Sequence, residues 1–136
     1  MTRINLQIYI HPGQAEISYA LQQKDGTSER FTAVIDTGAE VSVFPMRFLE
    51  GTNYRLSEKG KVKIAQAGIA GQDFEAIEAY VTIILEDASG NRTKPFEILA
   101  WFAQTRLALI GFQDILDRAV LHIDMPKRNG WLEIDT

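Results

Sequence analysis

Ile4, Leu6, Ile8 and Ile10 alternate with Asn5, Gln7 and Tyr9. A period of two puts alternate side chains on opposite faces of an extended chain, so this stretch predicts a strand with one buried face. His11-Pro12-Gly13-Gln14 follows as a turn, and Ile17, Tyr19 and Leu21 repeat the alternation against Glu16, Ser18 and Gln22. Lys24-Asp25-Gly26-Thr27 supplies the next turn. A third strand runs through Ala33-Val34-Ile35 into Asp36-Thr37-Gly38, and a fourth, Val41 to Pro45, leaves that bend before one helical turn over Met46 to Leu49. Taken in order these are successive hairpins, with a lone acid at the third bend.

Residues Glu50 to Gly60 are polar and carry Gly51, Asn53 and Gly60, which predicts a connecting loop. Lys61 to Ala65 alternates again, Gln66 to Gln72 is small and glycine-bearing, and Phe74 to Leu85 is a long strand, so the three make a long hairpin with its tip at Gly68 to Gly71. After a turn at Asp87 to Asn91, Arg92 to Ala100 returns as a strand toward Trp101 and Phe102. Leu107 to Ile110 is a buried strand that meets Gly111, and Ile115 and Leu116 lie three and four positions beyond Phe112, the spacing of a short helix. Ala119 to Asp124 and Trp131 to Ile134 close the chain as a last hairpin around a turn at Pro126 to Gly130. An edge strand ending a chain needs covering or pairing, so these terminal segments are candidates for a subunit contact.

The chain has 136 residues, 46% of them hydrophobic, enough for one domain over 1–136 with a core of its own. It has no cysteine, which removes disulfides, thiolate nucleophiles and Cys-based zinc sites and suits a reducing compartment such as the cytoplasm. The formal charge of −4 and a pI near 5.2 provide no basic footprint, so nucleic acid and an anionic membrane are not the expected partners. The N-terminus lacks the apolar core of a signal peptide, and no apolar run approaches the length of a membrane-spanning helix. His11 and His122 are isolated in strand-like or turn segments, with no metal-ligand spacing, and no metal or organic cofactor is expected.

The unusual chemistry is at Asp36. A carboxylate among Val34, Ile35, Val41, Val43 and Phe44 needs hydrogen-bond partners, because burying it unpaired costs several kcal/mol. Gly38 can bring its N–H close to that carboxylate and Thr37 offers a hydroxyl. The plainer alternative is a turn in which Asp36 only bonds neighbouring amides.

Asp36-Thr37-Gly38-Ala39 with apolar flanks resembles the catalytic signature of aspartic peptidases, in particular the retropepsin-like family of small dimeric enzymes. Leu109-Ile110-Gly111 is similar to that family's apolar-apolar-Gly motif, which leads into its one clear helix, and Gly68-Ile69-Ala70-Gly71 resembles the tip of its flap. The resemblance implies an all-β fold, a small closed acid-protease barrel of hairpins with a flap and one short C-terminal helix. It implies Asp36, Thr37 and Gly38 as catalytic residues, and Ala39, Glu40, Gly68, Ile69, Ala70, Gly71, Ile110 and Gly111 around the substrate. Gly111 would let its strand pack closely beside the Asp36 loop. No second Asp-Thr/Ser-Gly occurs in the chain, so the resemblance further implies a homodimer in which two copies of Asp36 face each other over an extended peptide or unfolded protein substrate.

One position departs from the viral pattern. Viral members place Arg directly after the glycine, paired with the carboxylate two residues beyond the glycine of the signature; this chain has Phe112 there, although Glu40 fills the carboxylate position. Arg118 or a residue near Arg3 are the candidate partners for Glu40. Three alternatives stand beside the peptidase: an ordinary hairpin loop at 68–71, the same fold as a catalytically silent binding or dimerisation module, and an unrelated small ligand-binding β-barrel.

Overall fold

The computed structural model describes the backbone of residues 1–65 and 73–136, and the side chains of 1–63 and 75–136. It contains β1 (Thr2–Asn5), β2 (Gln7–Ile10), β3 (Gly13–Leu21), β4 (Arg30–Ile35), β5 (Ser42–Pro45), β6 (Tyr54–Ala65), β7 (Asp73–Glu86), β8 (Phe96–Ala103), β9 (Ala108–Ile110), β10 (Ala119–Asp124) and β11 (Asn129–Ile134). The first alternating stretch serves two sheets. β1 pairs with β11, β2 pairs with β3, and Leu6 between them donates its N–H to the Gly130 carbonyl at 2.9 Å. Its period is continuous across the break, since Ile4 and Leu6 are both buried.

β3, β4, β9, β5, β8 and β7 pair in that order, and β3 pairs in turn with β7, which closes a barrel. The alternating residues of these strands fill it. Tyr19, Phe44 and Phe102 are fully buried, with the Tyr19 and Phe44 rings 5.2 Å apart and those of Phe44 and Phe102 5.8 Å apart. Ile17, Ile83, Leu85, Ile98 and Ile110 pack around them. The fold is the all-β closed barrel expected.

Two connections differ from the sequence expectation. The Asp36 bend is not a hairpin: β9 lies between β4 and β5, parallel to β4 and antiparallel to β5. Strand pairing is set by contacts distant in sequence, and here β9, some seventy positions on, displaces the local partner. Residues Glu50 to Gly60 are a loop only as far as Asn53, because β6 begins at Tyr54 and pairs with β7 through an irregularity between Leu56 and Lys61, where Gly60 has φ +63°. β6 is an edge strand, so its polar composition reflects exposure and not absence of pairing.

The short C-terminal helix is realised as a single 3-10 turn, Leu116–Arg118. Asp114 has φ +67°, which breaks an α-helix before it begins, and its carboxylate instead accepts the Leu99 N–H at 2.8 Å. A second turn of this kind, Met46–Phe48, follows β5. β1, β11 and β10 form a separate three-stranded sheet with β11 in the middle. On its outer face the Trp131 ring stacks on His122 at 3.9 Å and carries the Arg3 guanidinium at 4.4 Å. His122 is thus a strand residue packed on an indole. Among the described residues no helix is long and apolar enough to cross a membrane.

Candidate active site

β4 ends at Ile35 and delivers Asp36 to the rim of the barrel. Its N–H donates to the Ile110 carbonyl at 3.0 Å, its own carbonyl accepts the Ala39 N–H at 3.1 Å, and its Oδ1 accepts the Gly38 N–H at 2.8 Å. Among the described residues no hydrogen bond reaches Asp36 Oδ2. The acid is half-buried, with Thr37 and Gly38 exposed, so in the single chain the loop presents it outward instead of sealing it under the apolar flanks. Gly38 is not in the left-handed region. A Cβ there would stand 3.2 Å from Asp36 Oδ1, a tight contact that would press on the carboxylate.

The loop is laced to the end of β9. Phe112 N–H donates to the Ala39 carbonyl at 3.0 Å and Gln113 N–H to the Glu40 carbonyl at 2.9 Å. Gly111 N–H donates to Oγ of Ser42 at 2.9 Å. A Cβ on Gly111 would lie 2.7 Å from the Ala39 oxygen and 2.9 Å from the Val41 carbonyl carbon and oxygen, so the close approach expected of this glycine is present. Asp36, Thr37, Gly38, Ala39, Glu40, Ile110 and Gly111 are thereby brought together. Gly68, Ile69, Ala70 and Gly71 lie outside the described residues; the strands that lead to them, β6 and β7, pair as far as Ala65 and Asp73.

Neither candidate partner for Glu40 is available to it. Arg118 donates to the Asp135 carbonyl at 2.6 Å and lies over the Phe96 ring, while Arg3 forms an ion pair with Glu133 at 2.7 Å. The Glu40 side chain is exposed. The lacing of Glu40 to the chain after Gly111 is made by backbone, through Gln113, where viral members use a side-chain pair.

Sequence reading missed two features. Ser42 is fully buried and bonds the Gly111 amide; the signal was a hydroxyl inside the apolar run Val41-Ser42-Val43-Phe44. The second is a row across the sheet. Val34 pairs with Leu109, Leu109 with Val43, Val43 with Trp101 and Trp101 with Glu78, and register partners share a face. Val34, Leu109, Val43 and Trp101 are each partly exposed. The row ends where Trp101 Nε1–H donates to the buried Glu78 carboxylate at 2.8 Å. This apolar strip starts two residues before Asp36, on the same face of β4 by the period of two. Among the described residues no group of three or more His, Asp or Glu side chains converges as metal ligands would.

A closed barrel whose acid-bearing loop is threaded by a glycine-ended strand is the retropepsin-like fold. Among solved structures, the chain is similar to a retropepsin-like aspartic protease from Rickettsia conorii, with a TM-score of 0.52 and 13% identity, over 97% of this chain and 90% of that one. At that identity the likeness shows the fold alone. No protein-family model matches the chain, and no curated protein matches it.

Proposed function

We propose that this chain is one half of a homodimeric aspartic endopeptidase, a single domain over 1–136 that works in the cytoplasm. The observation that carries the reading is the Asp36 loop itself: an Asp-Thr-Gly bend whose acid is half-buried at the barrel rim, with one carboxylate oxygen held by the Gly38 amide and the other free of intrachain donors among the described residues. A turn aspartate that only stabilised its bend would not need the Ile110, Gly111 and Phe112 lacing that fixes the loop in place.

In the dimer two Asp36 carboxylates share one proton, because like charges at short range cannot both ionise freely. The ionised carboxylate takes a proton from a water whose oxygen attacks the scissile carbonyl carbon, and the protonated one gives its proton to the carbonyl oxygen. Collapse of the resulting diol breaks the C–N bond as a proton reaches the amine nitrogen. One water is consumed, and a carboxylic acid and an amine leave. Thr37 braces the pair across the axis, and Gly68, Ile69, Ala70 and Gly71 take part in substrate binding. The Val34, Leu109 and Val43 row favours apolar side chains beside the scissile bond, and an extended peptide binds by strand-like hydrogen bonds.

The test is to incubate purified protein with an unfolded, apolar-rich protein across pH, with and without a statin-type transition-state peptide. Inhibitable cleavage that disappears in Asp36→Asn is expected. Absence of cleavage at every pH from a folded dimer would favour the silent binding module instead.

A further inference from the structure

Tyr19 is fully buried, yet its hydroxyl has no hydrogen-bond partner, alone among buried side-chain polar atoms of the described residues. Folded proteins pair their buried hydroxyls, since an unpaired one keeps its whole desolvation penalty, so an orphan of this kind points to a missing partner. Tyr19 lines a cavity of about 110 Å³ whose other polar groups are Thr32, Arg47 and Arg106. Neither arginine forms an ion pair among the described residues. Burial pushes the Tyr19 hydroxyl's pKa up and the Arg47 charge draws it partly back, which places that guanidinium within electrostatic reach of the hydroxyl.

A second cavity of about 160 Å³ adjoins the first, sharing Phe31, Arg47 and Phe48 and extending to Leu21. The Arg47 guanidinium lies over the Phe48 ring at 4.8 Å. The two cavities thus share an aromatic wall, Phe31 and Phe48, with Arg47 beside it; the first adds Arg106 and Thr32, and the second adds Leu21 together with the polar Gln23 and Glu29. Glu29 lines only the second cavity, so an anion is favoured at the Arg106 end and repelled at the other. Thr32 precedes Asp36 by four residues on an extended strand, roughly 13 Å, so the place is distinct from the acid loop.

We propose that these adjoining cavities bind a small carboxylate with an apolar body, its head between Arg47 and Arg106 and reached by the Tyr19 hydroxyl, its body against Phe31, Phe48 and Leu21. A planar carboxylate suits two guanidinium forks, and an apolar body uses the aromatic wall that a bare inorganic anion leaves empty. The same head could be a free acid or the C-terminus of a peptide.

Calorimetric titration of the Asp36→Asn protein separates this site from any cleavage, and wild type is titrated beside it so that failure here and failure of the peptidase reading remain distinct. The probes are hexanoate, hexan-1-ol, inorganic phosphate, and acetyl-leucyl-leucine as free acid and as amide. Saturable binding of hexanoate is expected, with an affinity loss of about tenfold or more in Arg47→Gln and in Arg106→Gln. Binding of acetyl-leucyl-leucine acid more tightly than hexanoate, and not of its amide, assigns the head to a peptide terminus and also supports the site. Tyr19→Phe should bind hexanoate more weakly while resisting unliganded unfolding as well as wild type or better, because it deletes an unpaired hydroxyl; a purely structural tyrosine would show the reverse. The proposal is overturned if neither carboxylate binds at millimolar concentration, if the arginine variants bind as wild type does, or if hexan-1-ol or phosphate binds as tightly as the acids.

Discussion

Replacing Gly111 by alanine adds one methyl group at the point where β9 passes the Asp36 loop. That Cβ would sit 2.7 Å from the Ala39 oxygen and 2.9 Å from the Val41 carbonyl carbon and oxygen, all backbone atoms that no rotamer change can move aside. Reaching ordinary contact requires a shift of roughly 0.5 Å or more, and overpacking of this kind costs about 1–3 kcal/mol. Backbone contacts closer than 3 Å put the cost in the upper part of that range, about 2–3 kcal/mol, and alanine returns about 0.4–1 kcal/mol by restricting the unfolded chain, so the net loss is about 1–2.6 kcal/mol. The shift falls on the Phe112–Ala39 and Asp36–Ile110 hydrogen bonds, which fix the acid. Under the proposed mechanism a displacement approaching 1 Å costs up to about a hundredfold in rate, so kcat/KM should fall by about ten- to a hundredfold. Urea unfolding followed by tryptophan fluorescence measures the first quantity and peptide cleavage the second. Asp87→Ala, at a turn remote from the loop, provides a variant destabilised without a displaced acid. If Gly111→Ala proved as stable as wild type, or lost activity no more than Asp87→Ala did, the close approach would not be what holds the loop.

Asp87 itself gives a pH-dependent prediction. Burial raises its carboxyl, but hydrogen bonds from Asn5 N–H, the Asn91 side chain and the N–H groups of Asn91 and Ser89 outweigh this and hold it below the ordinary carboxylate value. A folded-state value below the unfolded one means stability fully present above about pH 4 and lost as pH falls through the folded value. Asp87→Ala should therefore lower the urea midpoint at pH 7 by an amount corresponding to about 1–2 kcal/mol, with the gap to wild type narrowing below pH 4; a gap constant with pH would contradict this. Trp101→Phe removes the donor to the buried Glu78 carboxylate and should destabilise by about 1–3 kcal/mol, with Glu78→Gln in the same background recovering part of the loss in the same unfolding assay. Under the proposed dimeric mechanism, mixing wild-type and Asp36→Asn chains under demonstrated exchange should give cleavage that follows the square of the wild-type fraction, since about a quarter of dimers in an equal mixture would keep both acids. A linear fall would mean a complete site in each chain.

The period-two pattern by itself determined most of the strands and which of their faces is buried: Ile4, Leu6, Ile17, Tyr19 and Leu21 all point inward as their spacing requires. It also marked Asp36, because an acid in an apolar run is conspicuous wherever the chain goes. That Gly111 packs beside the Asp36 loop was implied by the family resemblance, not by the pattern. Alternation carries no information about partners distant in sequence, so the insertion of β9 between β4 and β5, the backbone lacing that replaces a side-chain partner for Glu40, and the row from Val34 to Glu78 were decided only when the barrel closed. The same holds for Tyr19. Its spacing required burial, but whether its hydroxyl would find a partner depended on residues from other parts of the chain that the barrel brings around it, and among the described residues none bonds it.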